Sequence, residues 1–384
     1  MIIYWLFFSL PILLSINNIR FYNQKRFNFL LLYSFFCVLF IGFRYEVGGD
    51  WGNYIALAEQ QLIGLDPRLI NAPPVNTHSI AYNFLSWASV NSGLDVLGVN
   101  LICALIFIFG IYKICINQPN KWLAYVVAFP FLILVVGMGH PRQACAIGIA
   151  FWCFTIWKEH KNYKSIKIFL LSLIALTFHS SSFPLFFLCF IRNKGNLFII
   201  RNILISIPLL LGSFFIIIPI FLPDFYNLIN VTINFYLNKT SIYTQDVRSV
   251  ISKGAQIRML MNIPVCILFL FFYKNFGKFD DRRLLIIMTI LSIGLFAIVQ
   301  HYTTLIDRLG YYLIAFQIIV YSRIPSFINN KLLRLFFILS VCLVYIFLLF
   351  VWFKYSNSSS AWLPYKLNLL QTTFPLAYHW GQLI

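Results

Sequence analysis

Charge is what this sequence lacks most. Asp, Glu, Lys and Arg together make up 10% of 384 residues, and only 11 residues are acidic. A soluble domain carries roughly 25% charged residues, so the deficit excludes a water-soluble enzyme. The 60% of apolar residues excludes a disordered chain. Short alternating strands are missing, which excludes an outer-membrane barrel. Asp-x-Asp is absent, leaving a metal-dependent sugar-nucleotide enzyme without support, and Gly-x-Ser-x-Gly is absent, leaving a serine hydrolase equally bare. The eight cysteines sit in or beside apolar blocks without motif spacing, so neither a disulfide framework nor a zinc site is expected. No metal and no cofactor is expected, and no repeat or low-complexity tract is visible.

What the chain does have is apolar blocks, each closed by polar or basic residues. About 20 apolar residues cross a ~30 Å hydrocarbon core, and fewer suffice when flanking side chains snorkel. The pattern predicts an all-α integral membrane protein, a polytopic bundle of about 12 transmembrane helices. The expected crossings are 2–16, 29–43, 96–112, 122–137, 141–157, 166–178, 182–191, 202–222, 257–273, 284–299, 309–322 and 333–353. The first lacks both a charged leader and a small-residue cleavage site, and reads as a retained helix rather than a signal peptide.

Net charge of +18 would suit a nucleic-acid binder, but the basic residues punctuate the apolar blocks instead of clustering in a module. No nucleic-acid partner is expected. Alternate loops hold 19 of the 29 basic residues and 3 of the 11 acidic ones, which marks them as cytoplasmic and turns both termini outward. Three outward segments are long: 44–95, 223–256 and the tail 354–384. Residues 79–91 read as an interfacial or re-entrant helix. The whole chain, 1–384, is one membrane domain.

The outward side collects the chemistry. Five of six histidines (His78, His140, His179, His301 and His379) and eight of eleven carboxylates fall there. No ionisable residue sits in mid-block, as a coupled transporter would require. Arg142, Arg258 and Arg308 each stand where an inward-running helix is expected to begin. Cations are disfavoured at helix N-termini by roughly 0.3–1 kcal/mol, so their placement suggests a phosphate or diphosphate site. Snorkelling to lipid headgroups is the alternative for each. Ala144, Ala146, Gly148 and Ala150 form small-residue spacings that permit close helix packing after Arg142.

His179-Ser180-Ser181-Ser182 follows a short apolar run. It is either a helix cap or a polar apex lining a wet cavity below the surface. Arg44-Tyr45-Glu46-Val47-Gly48-Gly49-Asp50-Trp51-Gly52-Asn53-Tyr54 is either an outer turn or an acidic, aromatic platform suited to sugar rings.

At these residues the sequence resembles the EpsG family of bacterial polysaccharide polymerases, relatives of the Wzy O-antigen polymerases. The matching pieces are Arg44-Tyr45 with Gly48-Gly49-Asp50 and Tyr54, then Arg142-Gln143-Ala144, and His179-Ser180-Ser181. Arg308 with Tyr311 and the run Trp362-Leu363-Pro364-Tyr365-Lys366 complete the order. Gly49-Asp50-Trp51 and His140-Pro141 depart from the expected pattern. The resemblance implies a fold like the C-type membrane glycosyltransferases, in the bacterial inner membrane, with its active site facing the periplasm. It implies an enzyme that moves a growing glycan from its undecaprenyl diphosphate to the next lipid-linked unit, making O-antigen or a related surface polysaccharide. The partners implied are lipid-linked donor and acceptor, membrane lipid and a chain-length regulator protein. An O-antigen ligase and a lipid-linked oligosaccharide flippase are the alternatives.

The expected roles follow. Arg142 and Arg308, assisted by Arg258 or Arg44, hold the diphosphate. His179 is the expected base, Asp50 orients the acceptor or pairs with an arginine, and His301 is the reserve. Glu46, Trp51, Tyr54 and Tyr311 are the expected sugar contacts.

Overall fold

The computed structural model describes residues 1–17, 27–63, 79–158, 164–190, 253–300 and 303–367. Among these the regular structure is all helix, apart from one antiparallel bridge between Arg44 and Leu367. The helices are α1 (Ile2–Asn17), α2 (Phe27–Gly42), α3 (Trp51–Ile63), α4 (Ile80–Asn91) and α5 (Asp95–Ile116). They continue with α6 (Lys121–Gly139), α7 (Pro141–Trp157), α8 (Lys164–Phe178), a 3-10 turn (Ser180–Phe186) and the short α9 (Phe187–Phe190). The remainder are α10 (Lys253–Phe271), α11 (Arg282–Ile298), α12 (Thr303–Arg323), α13 (Lys331–Tyr355) and a closing 3-10 turn (Asn357–Trp362).

Among the described residues five helices are long and apolar enough to cross a membrane: Asp95–Ile116, Lys121–Gly139, Gly254–Phe271, Thr303–Ser326 and Lys331–Tyr355. The chain is therefore a helical membrane protein, and among the described residues length and composition license five of the twelve expected spans. Every expected block except 202–222 coincides with helix, but several of these helices are shorter than a bilayer core. Block 202–222, the loop 223–256 up to residue 252 and His301 lie outside the described residues.

Three boundaries differ from the expectation. Residues 51–63, read from sequence as part of a loop, form α3, because Tyr54, Leu57 and Ala58 recur at helical spacing and are buried. α10 and α12 begin at Lys253 and Thr303, several residues before their apolar blocks. Helix does not need apolar residues to start, only backbone hydrogen bonds, so hydropathy misplaces both ends.

α6 is the centre of the bundle. Its apolar window is wholly buried, and α1, α5, α12 and α13 pack round it. Its middle, Phe129–Val136, winds as a π-helix that starts beside Pro130, which has no N–H to give. α5 and α7 meet backbone to backbone, since a Cβ on Gly110 would lie 2.0 Å from the Gly148 carbonyl oxygen. The small-residue spacing serves this contact. Inside the bundle the Tyr345 hydroxyl donates to Gln317 Oε1 (2.6 Å), and Gln317 Nε2 donates to Asn262 Oδ1 (2.8 Å). That chain ties α10, α12 and α13 by groups that have no water to bond.

One end of the bundle, where α5, α7 and α12 finish and α11 begins, is locked by charge. Arg323 donates two 2.6 Å hydrogen bonds to the two oxygens of Asp281, and Lys158 lies 2.9 Å from the same carboxylate. Arg323 also donates to Gln118 Oε1 (3.0 Å) and lies over the Phe279 ring. Burial alone would raise the Asp281 carboxyl, but hydrogen bonding and charge from Arg323 and Lys158 pull it down to about 2. Its folded value is below the unfolded one, so the stability it contributes is full above about pH 4 and is lost as pH falls towards 2. Asp281→Ala leaves a buried guanidinium unpaired and is expected to destabilise the fold by about 3–5 kcal/mol. Thermal unfolding in detergent checks both: the variant should melt lower, and its stability should change less across that pH window.

Candidate functional site

The other end, where α2, α6 and α8 finish and α3 and α7 begin, holds the polar residues singled out above. The loop after α2 is built first. Arg44 is buried, and its guanidinium donates to the Ile41 carbonyl (2.6 Å), the Val47 carbonyl (3.2 Å) and Asn100 Oδ1 (2.9 Å). It folds the loop and is not free to meet a diphosphate.

Gly48 then takes φ +113°, and a Cβ there would fall 2.3 Å from the Met138 carbonyl oxygen. The C-terminal segment braces this turn. Gly48 donates its N–H to the Ala361 carbonyl (2.8 Å), and Tyr45 donates to that of Lys366 (3.0 Å). Trp362 is buried against Gly49 and Gly139, and its indole N–H donates to the Leu134 carbonyl (3.1 Å) within the π-helix. The Trp362–Lys366 run thus pins two loop ends together: Asp50 leaves one of them and His140 leaves the other.

His140 occupies the residue between α6 and α7, with α7 beginning at Pro141. Its Nδ1 is 2.9 Å from Asp50 Oδ2, and both side chains are part-exposed. Burial pushes the Asp50 carboxyl up, but the hydrogen bond and charge of His140, with the charges of Arg142 and Arg308, bring it below the usual carboxylate value. An ionised Asp50 only accepts, so Nδ1 carries the proton and Nε2 of a neutral His140 is the acceptor nitrogen.

Arg142, in the first turn of α7, keeps its place at a helix N-terminus. It lies over the rings of Tyr54 and Tyr82, and its Nε–H reaches the Tyr54 hydroxyl at 3.4 Å. Its NH1 and NH2 make no hydrogen bond to a described residue, which leaves both donors for an anion. Arg308 sits in the second turn of α12, not at its start, so the helix dipole, which fades within the first turn, does little for it. Side chains hold it instead. Arg308 donates to Gln143 Oε1 (3.1 Å), while Gln143 Nε2 donates to the Arg308 carbonyl (3.0 Å).

His179 Nε2 lies 3.4 Å from Arg308 NH1. His179 Nδ1 meets the Ser181 hydroxyl (2.8 Å) and N–H (3.2 Å), and Ser181 meets the Tyr312 hydroxyl (3.0 Å). Of the two readings of His179-Ser180-Ser181-Ser182, the structure shows the helix cap, and the Nε2 of the capping histidine faces the Arg308 guanidinium.

Asp50, Arg142, Arg308, His179 and Tyr54 thus come together. The remaining expected contacts lie elsewhere. Arg258 is buried in the second turn of α10, ion-paired with Asp307 and stacked 4.4 Å above the Tyr311 ring. This spends both Arg258 as an anion ligand and the buried Tyr311 as a sugar platform. Glu46 pairs with Lys366 at the exposed rim, and Trp51 packs edge-on against Tyr45. Among the described residues no group of three or more His, Cys, Asp or Glu gathers as a metal site.

Two residues carry more than the sequence reading gave them. In sequence His140 is one of five outward histidines and part of a departure beside Pro141, with no role of its own, although the proline after it restricts its backbone. Gln143 was part of a motif without a role. Neither a curated protein nor a solved structure matches the chain significantly. The family model described as the EpsG family matches residues 26–367, nearly all of the helices and both halves of the site. By that match the chain belongs to the EpsG family, whose members are polymerase-like membrane proteins of glycosyltransferase type.

Proposed function

We propose that the protein is a polymerase of lipid-diphosphate-linked oligosaccharide units in the bacterial inner membrane, working at the periplasmic face. It joins a growing glycan, carried on undecaprenyl diphosphate, to a hydroxyl of the next lipid-linked unit. The observation that carries this reading is the pair Arg142 and Arg308 beside the ionised Asp50 and the imidazole of His140, at one end of a membrane bundle. Two guanidiniums with donors to spare suit a diphosphate leaving group, whose departure needs charge stabilisation. A carboxylate and imidazole next to them suit a hydroxyl acceptor. The basic loops at the opposite end favour an outward site.

The test is elongation by the purified protein in liposomes, given lipid-linked repeat units as the sole glycan. A ladder of products longer than one unit supports the reading. Transfer only when lipid A core is added would instead identify a ligase, and movement of intact units across the bilayer without bond formation a flippase. Orientation is checked in sealed cells, where a cysteine at position 66 should react with an outside label and one at 162 should not.

A further inference from the structure

We infer that His140, not His179, takes the proton from the acceptor hydroxyl, with Asp50 as its positioning residue and His179 serving to hold Arg308. The inference rests on the polymerase reading and assigns roles within it.

Four observations on this site support it. His140 and Asp50 form a carboxylate–imidazole pair through Nδ1 at 2.9 Å, which leaves Nε2 as the acceptor. His140 is 28% exposed, and no described residue hydrogen-bonds its Nε2, so a hydroxyl can reach it. His179 offers the reverse. Its Nδ1 is committed to Ser181, and a proton taken at Nε2 would sit 3.4 Å from a guanidinium that is always charged. That arrangement suits a group that aims Arg308, as Gln143 does from the other side. His140 also stands on a fixed platform. Pro141 sets the following helix, Trp362 fills the space beside Gly139, and Asp50 orients the ring. Among the described residues the ionisable groups round the pair are Arg142, Arg308 and Tyr54, with His179 beyond Arg308.

The step balances without a metal or a redox partner. The acceptor oxygen forms a bond to the anomeric carbon as that carbon's bond to the diphosphate oxygen breaks. The breaking pair leaves on the diphosphate, between Arg142 and Arg308, and the hydroxyl proton passes to His140 Nε2. The imidazolium so formed is stabilised by Asp50, which stays ionised.

The experiment measures elongation rate against pH for the unaltered protein and for His140→Gln, His140→Ala, Asp50→Asn and His179→Gln, with folding of each followed by thermal melting. General base catalysis contributes about 10²–10⁴-fold. His140→Gln should therefore lose that much in kcat with its acidic limb gone, and added imidazole should restore part of the rate to His140→Ala. Asp50→Asn should lower kcat and shift the acidic limb. His179→Gln should lose less in kcat than His140→Gln, through a misplaced Arg308, and keep its acidic limb. Elongation by His140→Gln at near the unaltered rate, or an acidic limb lost in His179→Gln and kept in His140→Gln, overturns the assignment alone. If the unaltered protein makes no polymer, the polymerase reading falls and this assignment with it.

Discussion

Alanine at Arg142 or at Arg308 is expected to cut elongation by about 10²–10³-fold, the loss seen when one preorganised donor to a developing anion is removed. The two act on one diphosphate, so the double variant should fall short of the product of the single losses. Lysine should rescue neither. At 142 it keeps charge but loses the planar fork whose NH1 and NH2 face no described partner and whose plane stacks on Tyr54 and Tyr82. At 308 it cannot bond Gln143 and face His179 together as the guanidinium does. Chain length on a gel and initial rate with saturating lipid-linked unit are the measurements, with protein level and melting temperature as controls. Normal polymer length in both alanine variants at normal protein levels would place the anion elsewhere.

Gly48→Ala should be nearly as damaging, though it touches nothing that reacts. The residue combines φ +113°, where a Cβ is strained, with a Cβ position 2.3 Å from the Met138 carbonyl oxygen. Backbone strain of this kind costs on the order of 1–3 kcal/mol. The clash cannot be relieved by a rotamer change, because the obstacle is the backbone two residues before His140. The methyl therefore drives apart the two strands of chain that carry Asp50 and His140. A misplacement of about 1 Å at a reacting centre costs around 10²-fold, and that is the loss expected in kcat. Gly52→Ala is the control. Nothing lies within 4 Å of a Cβ there, so its activity and melting temperature should match those of the unaltered protein. Equal activity in Gly48→Ala would show that the loop does not set the pair.

Much of the architecture is local in origin and could be read directly. Block length, scarcity of charge and the alternation of basic loops are properties of short windows, and the bilayer imposes one length scale on all of them. They fix a helical membrane protein whose polar residues gather at one end, and they single out Asp50, Arg142, His179 and Arg308. The family pieces, ordered along the chain, agree with that.

Which arginines are available to a ligand was decided elsewhere. Arg44 and Arg258 look like Arg142 in sequence, yet one is used by backbone carbonyls and Asn100 and the other by Asp307. The His140–Asp50 pair joins residues 90 apart, and the Gln143–Arg308 clamp joins residues 165 apart. Trp362 braces the site from more than 200 residues away. Sequence shows that a side chain can donate or accept, because that is covalent chemistry. Whether its hydrogen bonds are already satisfied depends on which distant groups the packed helices bring within about 3 Å of it, and burial then makes those pairings costly to exchange for a ligand.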